Sequence, residues 1–326
     1  MDDEVRQVFD LPEVRAVVTE QRVEKRRCAC GVVTTGVFPR EAIGPTCYGP
    51  GVRALLTYLI VAQHLPIERA TQVFEECCGI AVSTGFASSL LAEAGPGLNE
   101  FVQVARAQLR QSPTLHLDET GVLPGYQGVA IHDGWTPYRA YENVTHALCN
   151  AHHLRELQAV FEEGQSWADE TSELLCATHQ EVRFAKEAQI PSLSPRRLIS
   201  ITRRYDQLIE AGHAANPPPI RTGKRGRPLR TKAANLVGRL DRYRCEVLRF
   251  ANDFSVSFDN NQAERDLRMV KLQQKISRCY RTEAGATNYP AVRSYISTAR
   301  KQRVNVLDAL RDRFEGKPFL PRVAQA

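Results

Sequence analysis

Three acidic residues, Asp118, Asp133 and Glu264, have the side chains that two-metal phosphoryl transfer needs. Carboxylates from separate elements can hold two divalent ions about 3.5–4 Å apart, one serving the attacking oxygen and one the leaving oxygen. Mg²⁺ suits such sites because it takes few carboxylates and fills its shell with water and phosphate oxygens. Asp118 and Asp133 each end a short apolar run in HLDETGVLPGYQGVAIHDGW, residues 116–135, and Glu264 lies within NNQAERDLR. Each has a plainer reading. Aspartate is common where a strand gives way to a turn. Glu264 follows Asn261 by three residues, so it fits a capping box in which its carboxylate closes onto the Asn261 backbone. Spacing alone leaves both readings open.

Other residues suggest metal or nucleic acid. Cys28-Ala29-Cys30-Gly31 offers a tight cysteine pair, with Cys47 as a third thiol. A structural Zn²⁺ needs four ligands, so this knuckle is partial, and reduced thiols without metal are the alternative. Cys149, His152 and His153 form either a second metal group or the polar start of a helix. Residues 221–232, RTGKRGRPLRTK, hold six basic residues and no acid. Their centre, Arg225-Gly226-Arg227-Pro228, looks like the core of an AT-hook, which enters a narrow minor groove. Arg268, Lys271, Lys275 and Arg278 follow helical spacing and make a basic stripe that would hold phosphates by charge. A solvated linker and a solvated helix face are the alternatives.

The elements that must position these groups follow from the apolar periods. Tyr48-Gly49-Pro50 opens a helix with Val52, Leu55, Leu56, Leu59 and Ile60 on one face. A second helix starts at Pro66, with Ala70, Val73, Phe74 and Cys77 inward and Gly79 as its stop. Ser83 caps a third, and a fourth aligns Leu98, Phe101, Val102, Ala105 and Leu109. The period then switches, and strands are expected at 114–118, 128–132 and 144–148. Helices fill 152–251, with breaks at Gly164, Ile190-Pro191 and the prolines after Asn216. Beyond Asp259 a long helix leads to a break at Gly285–Pro290 and a final helix pair. The fold class is therefore α/β with large α content, an α/β core interrupted by a helical insertion.

Composition agrees with a globular chain of 326 residues, 43% hydrophobic and 25% charged. The formal charge of +6 allows an anionic partner. No run reaches the eighteen or so apolar residues of a membrane span, and MDDEVRQVFD lacks a signal pattern. Nine cysteines at irregular spacings fit reduced thiols, so a cytoplasmic location is expected.

Read in order, HLDET, HDGWTPY, ALCNAHHLREL and FDNNQAERDLR resemble the signature blocks of the insertion-sequence sixty-six family of DDE transposases. The resemblance runs from about residue 10 to about 310. It implies a ribonuclease H-like core (113–150 and 259–310) with Asp118, Asp133 and Glu264 binding Mg²⁺ or Mn²⁺. It also implies a helical insertion (151–258), a helix-turn-helix-like DNA-binding region (49–112), a zinc-knuckle region (1–48) and a tail (311–326). The implied activity is cleavage at the element ends and transfer of the 3′-OH to target DNA, by a homo-oligomer at the bacterial nucleoid.

One interval departs from the family. Only 14 residues separate Asp118 from Asp133, where the family has a further strand pair and a helix, at least about 25–30 residues. A short link favours an antiparallel hairpin, which would hold the two aspartates roughly 15–20 Å apart. The alternative is that ETGVLPGYQ runs back extended, spanning up to about 30 Å, and keeps the strands parallel. A shortened core follows either way, and whether the two aspartates meet separates an active transposase from a remnant that only binds DNA.

Overall fold

The computed structural model describes residues 6–12, 14–39, 42–119, 121–217, 230–277 and 282–322. A two-stranded antiparallel hairpin, β1 (Lys25–Arg27) and β2 (Val33–Thr35), comes first. Four helices follow, α1 (Pro50–Thr57), α2 (Ile67–Cys78), α3 (Thr84–Ala94) and α4 (Asn99–Gln111). Strands β3 (Thr114–His116), β4 (Val129–His132) and β5 (Thr145–Leu148) lead into α5 (Asn150–Glu162), α6 (Ser166–Glu187) and α7 (Pro195–Ala215). Then come α8 (Lys232–Arg242), the single turns α9 (Arg244–Val247) and α10 (Arg249–Asn252), α11 (Asn261–Ser277), α12 (Glu283–Lys301) and α13 (Val306–Phe314). No helix among the described residues is long and apolar enough to cross a membrane.

The caps follow the sequence. Pro50 sits in the first turn of α1, where its missing N–H costs nothing. Gly79 ends α2 in the left-handed conformation at φ 69°. The Ser83 hydroxyl accepts from the Phe86 N–H at the start of α3. Three expectations fail. Cys77 is exposed and its neighbour Cys78 is buried, because α2 turns that face inward. Leu109, near the C-terminal end of α4, is 45% exposed. The break at Gly285–Pro290 is absent. Thr282 caps α12, and the helix continues through Pro290, with Tyr289, Val292, Tyr295 and Ile296 buried on one face. Packing of that face outweighs the one backbone bond that proline removes.

The chain divides into two compact units, residues 1–105 with 269–326, and residues 106–268. In the first, α1–α4 pack with α12 and α13 around Val61, Leu98, Phe101, Tyr295 and Ile296. In the second, the sheet and α5–α8 share a core that includes Ile131, Leu148, Leu157, Leu175, Tyr205 and Leu240.

The three-stranded sheet decides the question set by the short link. Its order is β3-β4-β5, and both pairings are parallel. Thr114 pairs with Val129, Leu115 with Ala130 and His116 with Ile131. The antiparallel hairpin is thus corrected. The link covers twelve residues, 117–128, about the minimum a parallel crossover requires. Tyr126 holds the returning chain in place. Its ring is buried with Leu115, Leu117 and Ala130, and its hydroxyl lies 3.1 Å from both the Pro113 and the Val129 carbonyls. Gly128 is required where the chain re-enters the sheet, because a Cβ there would stand 2.6 Å from the Pro113 carbonyl oxygen.

Candidate metal centre

The C-terminal ends of the three parallel strands carry the chemistry. Asp118 follows β3, Asp133 follows β4 and Cys149 follows β5. The Leu117 N–H donates to the Ile131 carbonyl at 2.9 Å, carrying the pairing past His116. In that register Asp118 and Asp133 stand side by side, two residues beyond the His116–Ile131 pair. Neighbouring strands are about 4.8 Å apart, so the two backbones are adjacent rather than separated by the length of a hairpin. Asp118 is half-buried and Asp133 is exposed. The Trp135 N–H donates to Asp133 Oδ1 at 2.9 Å, which fixes that carboxylate at the strand end.

Asn260 docks α11 onto this edge. Its side-chain amide donates to the Leu117 carbonyl at 2.6 Å and its Oδ1 lies 2.8 Å from His116 Nδ1. Its backbone N–H donates to Cys149 Sγ at 3.1 Å. One residue therefore ties the ends of β3 and β5 to the start of the helix that bears Glu264. Sequence reasoning gave Asn260 no role. It lay inside a quoted motif, yet an asparagine just before a helix reads as an ordinary cap.

Glu264 is only 8% exposed. The capping-box alternative is not what forms, since the Asn261 N–H is taken by Asp259 Oδ1 at 3.1 Å. Glu264 Oε2 accepts from Arg268 at 2.9 Å, one turn on. Its Oε1 is buried with no hydrogen-bond partner and lies 3.6 Å from His152 Nε2. Cys149 Sγ, His152 and Glu264 present ligand atoms that all lie within 4.8 Å of one another. They are the one such trio among the described residues, and the three sequence-derived acids do not close to that distance. Burial pushes the Cys149 thiol up, with the Asn260 N–H acting in the opposite direction.

His153, grouped with Cys149 and His152 on sequence, is turned away. It is 2% exposed, its Nδ1 lies 3.1 Å from Asn150 Oδ1, and burial pushes it down to about 3. A second neutral imidazole lies before Asp133. His132 Nδ1 accepts from the Gly134 N–H at 3.0 Å, so its Nε2–H must donate to His146 Nδ1, also at 3.0 Å. His146 Nε2–H then donates to the Tyr141 carbonyl at 3.2 Å. Every step has one donor and one acceptor only if both rings are uncharged. Burial accordingly pushes His132 down to about 3.

The remaining sequence-derived residues lie elsewhere. Cys28 and Cys30 occupy the exposed turn of the β1–β2 hairpin, where hydrogen bonds from Cys30 lower the Cys28 thiol. Cys47 contacts the backbone of Gly44, and no trio of metal-ligating side chains containing these cysteines occurs among the described residues. Arg268, Lys271 and Lys275 are exposed along α11. Arg225, Arg227 and Arg278 lie outside the described residues.

The family model described as "Transposase IS66 family" matches residues 45–124 and 121–288. The two matches meet inside the link from β3 to β4. No curated protein and no solved structure matches the chain. With most of its length covered, from the first helix through the Glu264 segment, the chain belongs to the IS66 family of transposases.

Proposed function

We propose that this chain is a DNA transposase of the DDE type, with Asp118, Asp133 and Glu264 as its metal-binding acids. The observation that carries this reading is the parallel β3–β4 register, which sets Asp118 beside Asp133 despite the 14-residue interval. Three parallel strands with acids at adjacent C-terminal ends, and a third acid on a packed helix, are what a ribonuclease H-like core requires of these segments. The residues fit a divalent cation. Two carboxylates share a sheet edge, and the buried Glu264 Oε1 has no protein donor. Mg²⁺ or Mn²⁺ held there would polarise a phosphate oxygen and favour deprotonation of an attacking water. The chain's own part is positional. Arg268 fixes the Glu264 carboxylate through its hydrogen bond to Oε2, and Lys271 and Lys275 on the same helix would grip DNA backbone without reading its sequence.

A second reading, a remnant that binds DNA without cleaving it, is favoured by the site geometry and by the family matches. Glu264 Oε1 faces His152 and Cys149, and the three acids do not form a closed trio. Two separate family matches meeting at 121–124 are also what a missing interval would produce. Calorimetric titration of Mn²⁺ into the chain and into Asp118→Asn, Asp133→Asn and Glu264→Gln decides between them. Weakened binding in all three variants supports a transposase site. Binding that is absent, or indifferent to Asp118 and Asp133, supports the remnant.

A further inference from the structure

We propose that Cys149, His152 and Glu264 form a binding site for a borderline transition-metal ion, Zn²⁺ above all, distinct in its donors from the carboxylate pair on β3 and β4. Three features carry this. The ligand atoms lie within 4.8 Å of one another, and a tetrahedral ion with bonds of about 2.0–2.3 Å asks for separations of roughly 3.5 Å, a small inward adjustment. Glu264 Oε1 and His152 Nδ1 are both buried without a hydrogen-bond partner, so two polar groups meet no protein atom that repays their burial. The scaffold is also rigid. Cys149 is the residue preceding α5, and His152 lies within its first turn. The Asn260 N–H donates to the sulfur at 3.1 Å.

The donor set selects the ion. A thiolate, an imidazole and one carboxylate suit Zn²⁺ or Co²⁺, whereas Mg²⁺ and Ca²⁺ prefer oxygen alone. Three protein ligands leave the fourth position to water. On binding, the Cys149 thiol forms a sulfur–metal bond and releases its proton to solvent. Glu264 belongs to both donor sets, and its Oε1 cannot serve both at once. Zn²⁺ at this site therefore withdraws the acid that the DDE reading needs, making zinc an inhibitor of Mn²⁺ binding. The site itself does not depend on that reading.

Optical titration of the full chain with Co²⁺ tests this. A thiolate-to-cobalt charge-transfer band in the near ultraviolet, with the visible bands of a four-coordinate ion, is expected. It should persist in Cys28→Ser/Cys30→Ser, Asp118→Asn and Asp133→Asn. It should vanish in Cys149→Ser, and His152→Ala should weaken Co²⁺ binding by roughly tenfold or more. If Cys149→Ser fails to fold, His152→Ala, at a half-exposed helix position, decides the matter alone. A band that is missing from the unaltered chain, survives Cys149→Ser, ignores His152→Ala or depends on Cys28 and Cys30 overturns the proposal. Loss of Mn²⁺ binding in Asp118→Asn with the cobalt spectrum unchanged separates the two sites.

Discussion

Replacing Asn260 with alanine tests whether one amide holds the site together. Asn260 is 1% exposed and makes two side-chain bonds, to the Leu117 carbonyl at 2.6 Å and to His116 Nδ1 at 2.8 Å. Removing it leaves a buried acceptor and a partly buried donor unmatched, each worth about 1–3 kcal/mol. We expect a loss of about 3 kcal/mol. At a slope near 2 kcal/mol/M, the urea midpoint should fall by about 1.5 M. Tryptophan fluorescence is the assay, because both tryptophans of the chain, Trp135 and Trp167, lie within residues 106–268. Asn260→Asp is the informative companion. It keeps an acceptor for the His116 Nδ1–H but offers the Leu117 carbonyl no donor, so it should not restore the wild-type midpoint. A midpoint shift in Asn260→Ala below about 0.3 M, under 1 kcal/mol at that slope, would refute the argument.

Three further outcomes follow from the same geometry. Gly128→Ala should destabilise the 106–268 unit by about 2 kcal/mol or more, because its Cβ meets the Pro113 carbonyl at 2.6 Å; an unchanged urea midpoint would show that the strand entry can shift. His132 and His153 are held neutral when folded but take up protons near pH 6.5 when unfolded. The unfolded chain then binds more protons below that pH, so stability falls as pH drops from about 6 towards 3, by up to about 1.4 kcal/mol per pH unit for each ring. Urea midpoints that stay flat from pH 6 to 4 would contradict this. Arg139→Ala removes two contacts to Glu246, at 2.6 and 2.7 Å, and a stacking contact 3.8 Å above the Tyr243 ring. It should cost about 2 kcal/mol in the same measurement, given that both partners are mostly buried.

The helices and caps were legible because their signals are local. Ser83, Gly79 and the apolar stripe of α2 act within one or two turns, whereas the choice between Cys77 and Cys78, the exposure of Leu109 and the run of α12 through Pro290 depend on the neighbouring packing. The parallel sheet was not legible. The twelve-residue link sits at the length where hairpin and crossover compete. Burial of Tyr126 against Leu115 of β3 and Ala130 of β4 decides the outcome, and no local pattern announces it. The carboxylates were visible as strand-end acids, and Cys149 with His152 as a pair three apart. That Glu264 would join this pair, with His153 turned into the core, depends on how α11 docks through Asn260, a contact spanning more than a hundred residues of sequence.

Among the described residues β3 is an edge strand, and a bare edge is a template on which another chain can pair. Here the template is poor. The strand is three residues long, and the Thr114 carbonyl already accepts from the Ser112 hydroxyl at 2.7 Å. Asn260 occupies the Leu117 carbonyl just beyond the strand. An incoming peptide would find too few successive free groups to begin a ladder, so this sheet can end at β3 without inviting edge-to-edge aggregation.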